Sequence, residues 1–250
     1  MLTSTETLDD FIEEIYPTLE LNYEKPDWFR HRAILTPLNE DVLRINEMCL
    51  KKLPGEVYTS YGYDTIPYDN NGICETYQDL LPNRYATNFP RQNIELKIGA
   101  PIMLLTNLNQ KIGACNGTRL IIRGISNHNI RGVITNGNHR GEEILIPKIR
   151  MSSEGTNLEI PFTFYRTQFP VRLAFGMTIN KAQGQTIENK IGIIRCLRTD
   201  NYMLRVPEPP KQKILNFSFK MAICKANSKI TKESTLEILY IQSYYCLNNK

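Results

Sequence analysis

The sequence predicts an α/β protein that also carries a β-rich segment, and three stretches support that prediction. Ala33–Leu35 is a short apolar run closed by Thr36 and Pro37 and followed by residues with helical spacing. From Ile94 to Pro147 short apolar runs alternate with turn residues, including the dipeptide Asn116-Gly117, a strong hairpin signal. Phe169–Thr186, FPVRLAFGMTINKAQGQT, reads as a buried strand, a polar turn and the start of a helix.

In chain order, Leu8, Phe11, Ile12 and Ile15 share one face of a first helix, which Thr3 or Ser4 caps and Pro17 ends. Pro26, Asp27 and Trp28 form a junction before the strand Ala33–Leu35. Asn39 is placed to cap the next helix, which carries Val42, Leu43, Ile45, Asn46, Met48 and Cys49 to about Leu53, before Pro54 and Gly55. Gly62 to Phe89 is rich in Tyr, Asn, Asp, Pro and Gly and reads as a long connection with one short helix near Glu75–Leu81. Strands are expected over Ile102–Leu105, Thr118–Arg123, Ile130–Thr135 and Glu143–Pro147, a spacing that suits a small barrel. Val171, Leu173 and Phe175 alternate with Arg172, Ala174 and Gly176 in a return strand. Beyond Ile194 the pattern weakens; Pro207, Pro209 and Pro210 mark a break, and Leu236–Leu247 suits helix or strand equally.

The composition is that of an ordinary globular chain, with 41% hydrophobic and 22% charged residues among 250. No apolar run approaches a membrane span, so no membrane partner is expected. The acidic, amphipathic N-terminus does not read as a secretory signal. Six scattered cysteines without a C-x-x-C pair exclude a zinc-ribbon pattern, so no metal site is expected, and suggest reduced thiols. The net charge of +4 is uneven: Cys196–Lys250 holds nine Lys+Arg against four Asp+Glu, and the remainder is close to neutral. Any polyanion contact in the motif-bearing part must therefore be local rather than a consequence of global charge.

The strongest local signal is the polar cluster that follows the return strand. Thr178, Asn180, Lys181, Gln183, Gln185 and Thr186 crowd the carboxyl end of a predicted strand, the edge of an α/β sheet where phosphates dock. Lys181 offers a point charge, and Gly184 lets a backbone come close.

These residues resemble the motif that closes the second RecA-like domain of the petite-integration-frequency class of DNA helicases, a superfamily-one class that includes RecD-like and Helitron enzymes. AILTPLNEDVLRIN (Ala33–Asn46) resembles the strand and helix that open the same domain. LKIGAPIMLLTNLNQKIGACNGTRLIIRGI (Leu96–Ile125) resembles the small Src-homology-like β-barrel inserted between them. The three blocks occur in the family's order and cover roughly residues 1–194. The resemblance implies a partial RecA-like domain: 1–60 its first part, 61–93 a connector, 94–150 the inserted barrel, 151–194 the return, and 195–250 a divergent tail.

The resemblance also implies roles. Thr178, Asn180 and Lys181 are expected to touch single-stranded DNA, with Asn39 at the neighbouring strand end and Lys111 and Arg119 on the barrel. Gln183, Gly184 and Gln185 are expected to face the nucleotide interface. Asn180 stands where the family often has His, so a role needing an imidazolium is not implied. Bland readings stand beside these: Asn39 as a helix cap, Lys181 and Arg119 as solvated residues, Gly117 as a turn residue, and most of Tyr58, Tyr61, Tyr63, Tyr68 and Tyr77 as packing rather than base-stacking groups.

No G-x-x-x-x-G-K-[ST] phosphate loop occurs, and neither the magnesium-holding acidic pair nor the family's final arginine motif is seen. The expectation is a C-terminal helicase fragment with no catalytic residue of its own, binding no cofactor alone although intact relatives use ATP and magnesium. Its expected partners are single-stranded DNA and the N-terminal motor half, in nucleus or mitochondrion. The alternatives are a non-catalytic nucleic-acid or protein binding module, or a non-functional relic of a transposon helicase.

Overall fold

A computed structural model describes residues 7–67, 89–154, 163–182 and 190–193, all within the first of two units, Met1–Ser218. Three helices precede the first strand: α1 (Leu8–Ile15), α2 (Leu19–Asn22) and α3 (Pro26–Arg30). The cap of α1 is Thr7, not Thr3 or Ser4, which lie outside the described residues. Its hydroxyl accepts from Asp10 N while the Asp10 carboxylate accepts from Thr7 N, a reciprocal capping box. Asn39 does not cap α4 (Asn39–Lys52): Leu38 holds the cap position without a side-chain bond, and Asn39 is the first helical residue.

Strand β1 (Arg32–Thr36) runs at the centre of a parallel sheet, between β12 (Gly176–Thr178) and β13 (Lys190–Ile193). Ile34 joins the core under α1 and α4 with Phe11, Ile12, Tyr16, Phe29, Ile45 and Phe175, while Ala33 and Leu35 pack on the other side with Met103, Ala174 and Met177. A strand buried on both faces reads as an unbroken apolar run, which is what Ala33–Leu35 is. Gly176 allows α4 to lie close: a Cβ there would stand 3.0 Å from Cγ2 of Ile45.

A five-stranded antiparallel sheet has the order β11–β5–β6–β7–β8, formed by Val171–Leu173, Pro101–Leu104, Arg119–Ile125, Asn129–Ile134 and Glu143–Pro147. It is open rather than closed into a barrel among the described residues. The loop between β5 and β6 ends, as expected, in a tight turn at Cys115-Asn116-Gly117, with Thr118 N–H donating to Cys115 O at 3.0 Å and Gly117 at φ +89°. Two smaller sheets flank this one: β3–β10–β9 (Tyr63–Thr65, Tyr165–Gln168, Ile149–Ser152) and β2–β4 (Tyr58–Tyr61, Asn93–Leu96). The connector therefore contributes strands, while its expected helix near Glu75–Leu81 lies outside the described residues.

The return strand, read as one piece over Val171–Gly176, is two. β11 pairs antiparallel with β5 through Leu173↔Ile102, and the chain then crosses to pair β12 parallel with β1 through Ile34↔Gly176. Asn46 of α4 fixes this crossing. Its amide donates to Leu173 O at 3.3 Å and Gly176 O at 3.1 Å, and its Oδ1 accepts from Gly176 N at 2.9 Å. Arg119 stabilises the same crossing from β6. Its guanidinium, almost fully buried, donates to Arg32 O at 3.2 Å and Ala174 O at 2.9 Å. The Tyr16 hydroxyl, donating to Phe175 O at 2.6 Å, completes the set; burial pushes its ionisation far above the ordinary phenol value.

Replacing Asn46 with Ala leaves a buried N–H and two carbonyls unpartnered, each costing about 1–3 kcal/mol when it finds no water. Chemical denaturation of Asn46→Ala is therefore expected to show a loss on the order of 2–3 kcal/mol. A loss below about 0.5 kcal/mol, the scale of ordinary surface substitutions, would mean the crossing is held elsewhere.

Candidate nucleic-acid interface

The parallel sheet ends its strands together: Thr36 of β1 lies in register with Thr178 of β12, both buried. Helix α4 starts three residues after Thr36, and α5 (Ile179–Ala182) starts directly after Thr178. This carboxyl edge therefore gathers Asn39, Thr178 and Lys181, as the sequence implies. Of Asn180 only the backbone is described, and Gln183, Gly184 and Gln185 lie outside the described residues.

Beside this edge a groove of about 710 Å³ runs between α4 and the 89–97 segment. Asn39, Val42 and Asn46 line its α4 side, and Val171, Arg172 and Leu173 line its floor. Several charges in the groove are already partnered. Lys97 donates to Leu53 O at 2.6 Å, and Arg91 meets Glu47 at 3.4 Å. Glu95 adds a carboxylate to the rim, and Lys51 a cation.

Arg172 differs from these. No described hydrogen bond or ion pair reaches it, and its Nε and Nη2 atoms are buried with no partner among the described residues. Burial holds its guanidinium below its ordinary pKa. Lys181 is also lowered, first by burial and then by repulsion from Arg172. Two partly desolvated cations thus lie near enough to repel each other, Arg172 in the groove lining, with no described carboxylate to neutralise Arg172. A buried unpaired charge is costly, and an anion is what would relieve that cost. A guanidinium fork suits a phosphate, because its donors are fixed in a plane that matches two phosphate oxygens.

Other expected site residues are placed elsewhere. Lys111 stands exposed on a single 3₁₀ turn, Gln110–Ile112, and does not line the groove. Arg119 is neither a solvated strand residue nor a surface cation, because it is buried against backbone carbonyls. Arg172 is the residue that sequence reasoning passed over. It was given no role in the return strand, yet the signal is present: one cation inside an otherwise apolar Phe169–Met177 run.

The chain resembles known proteins. A family model described as DNA helicase Pif1, 2B domain, matches residues 81–125. The human ATP-dependent DNA helicase PIF1 is 30% identical over 149 residues, covering 60% of this chain and 21% of that protein. The helicase PIF6 of Trypanosoma brucei brucei is 32% identical over 101 residues, covering 39% of this chain and 12% of that protein.

Over part of its length the chain is similar to Pif1 DNA helicases.

It spans about a fifth or less of the length of these curated Pif1 relatives. Among solved structures, Bacteroides Pif1 bound to ssDNA is similar at 23% identity and TM-score 0.46, covering 64% of this chain and 34% of that one. Candida albicans Pif1 is similar at 19% identity and TM-score 0.48, covering 64% of this chain and 39% of that one.

The cation pair generates two linked expectations for Arg172→Met in the free protein. Removing an unpartnered buried charge should raise stability by about 1 kcal/mol, read by chemical denaturation. The Lys181 ammonium should titrate at higher pH, because a positive neighbour is gone, read by NMR of its side chain. An unchanged Lys181 titration would show that the two cations do not interact.

Proposed function

We propose that this chain supplies a single-stranded-DNA grip of a Pif1-type ATP-dependent helicase. The observation that carries the proposal is the desolvated guanidinium of Arg172, whose Nε and Nη2 have no partner among the described residues, near Lys181 at the carboxyl edge of the parallel sheet. The homology supports helicase work in general, and the groove gives the strand a path. In this reading Arg172 and Lys181 hold backbone phosphates, Thr178 and Asn39 shape the lip, and Gln183, Gly184 and Gln185 face a nucleotide held with the other motor half. The five-stranded sheet corresponds to the inserted barrel and stands beside the strand. The chain has no phosphate loop, so nucleotide turnover in the assembled motor depends on residues it does not contain.

The grip acts by electrostatics. A phosphate entering the groove neutralises Arg172, releases condensed counterions and removes the repulsion felt by Lys181. Such contact is independent of base sequence and weakens steeply with salt. Fluorescence anisotropy of the chain with labelled single-stranded oligonucleotides across a salt series tests it. Binding is expected, with Arg172→Gln weakening it about tenfold and lowering the salt slope by about one. Binding that is absent, or indifferent to Arg172 and to salt, would overturn the proposal in favour of a protein-binding module.

A further inference from the structure

The three-stranded sheet β3–β10–β9 has two unlike faces. Residues directly paired across strands point to the same side, and the sides alternate along each strand. On the inner side lie Asp64, Arg166 and Met151, paired in register. Arg166 is fully buried there, with its Nε 2.7 Å from Asp64 and its guanidinium 5.3 Å from each of the touching rings of Phe89 and Phe164. That ion pair is neutral and enclosed, and its remaining donor is taken by Pro90 O at 2.9 Å.

The outer side is built from the other parity. Tyr63, Thr167 and Arg150 form one row, and Thr65, Tyr165 and Ser152 form the next. The Arg150 guanidinium stacks 4.1 Å over the Tyr165 ring. Tyr63 is 71% exposed, and the neighbouring Tyr61 is 69% exposed. Lys148 reaches the Tyr61 carbonyl at 3.1 Å, which holds a second cation at the end of the patch. Neither row contains a carboxylate; Glu154 lies just past Ser152, with its backbone N–H on the Ser152 hydroxyl.

Exposed tyrosine rings with interleaved cations and no acid in the rows fit one occupant best. We propose that this outer face is a second contact for single-stranded nucleic acid, with bases stacking on Tyr63 and Tyr61 and a phosphate held by Arg150. An unpaired strand presents flat π-faces and phosphates alternately, which matches rings and cations spaced along a sheet. Arg150 is pre-oriented by its stack on Tyr165, so little of its freedom is lost on contact. The inference rests on the nucleic-acid reading of the chain but uses none of the groove residues.

The test compares the whole chain with Tyr63→Ala, Tyr63→Phe and Arg150→Gln variants, using labelled oligothymidylate and an abasic strand of equal length. Tyr63→Ala is expected to weaken oligothymidylate binding about fivefold or more and to leave abasic binding unchanged. Tyr63→Phe keeps the ring and should bind as the parent does. Arg150→Gln should weaken both strands and lower the salt slope by about one. Photo-crosslinking with 5-iodouracil strands should recover the Tyr63 peptide from the parent chain, independently of any variant's folding. If Arg172→Gln abolishes binding while Tyr63→Ala and Arg150→Gln bind normally, or no Tyr63 crosslink forms, this face is not a contact. If the parent chain binds no strand at all, the nucleic-acid reading and this inference fall together.

Discussion

The guanidinium of Arg119 joins the two main sheets of this protein. It leaves β6 of the antiparallel sheet, enters the interior and donates to the carbonyls of Arg32 and Ala174, at the start of β1 and at the crossing between β11 and β12. A buried cation thus serves as donor to backbone carbonyls of both segments. Asn46 does the same for Leu173 and Gly176 from the helix side. Together they let one short segment belong to two sheets. That crossing sets the position of Arg172 in the groove lining and of Lys181 three residues beyond the end of β12.

Three buried or half-buried arginines show how charge is used here. Arg119 is held by carbonyls, and Arg166 is neutralised by Asp64 and packed against two rings. Both are fully buried, and their terminal nitrogens donate to protein acceptors, although Arg119 Nε keeps no partner among the described residues. Arg172 is half-buried, and both its Nε and its Nη2 lack a partner among the described residues. In the proposed function an anion relieves that cost. Natural sites of this kind trade stability for binding, since the charge that grips the ligand is a cost to the free protein.

Much of this organisation was legible from the residues. β1 and α4 followed from an apolar run and helical spacing, and Glu143–Pro147 stands as a strand where alternation placed it. The polar edge at Thr178 and Lys181 followed from a strand ending in a hydrogen-bonding cluster. What escaped was tertiary. Alternation within each short run cannot show that Val171–Gly176 divides between two sheets, because the switch lies in the backbone at Ala174 and Phe175. Nor can it distinguish a long cation that turns inward to carbonyls, as Arg119 does, from one that turns out to solvent. The cap of α1 was misplaced because Thr7 and Asp10, the actual box, lay inside the stretch read as helix.

In the proposed function the Arg172 side chain is the anion seat for a nucleic-acid backbone. The most direct measurement is the NMR signal of the Arg172 Nε–H during titration with a single-stranded oligonucleotide. A large downfield shift that saturates with binding, and reverses as salt is raised, is the predicted result. A signal that stays in place while the strand binds would show that the groove floor does not hold the phosphate.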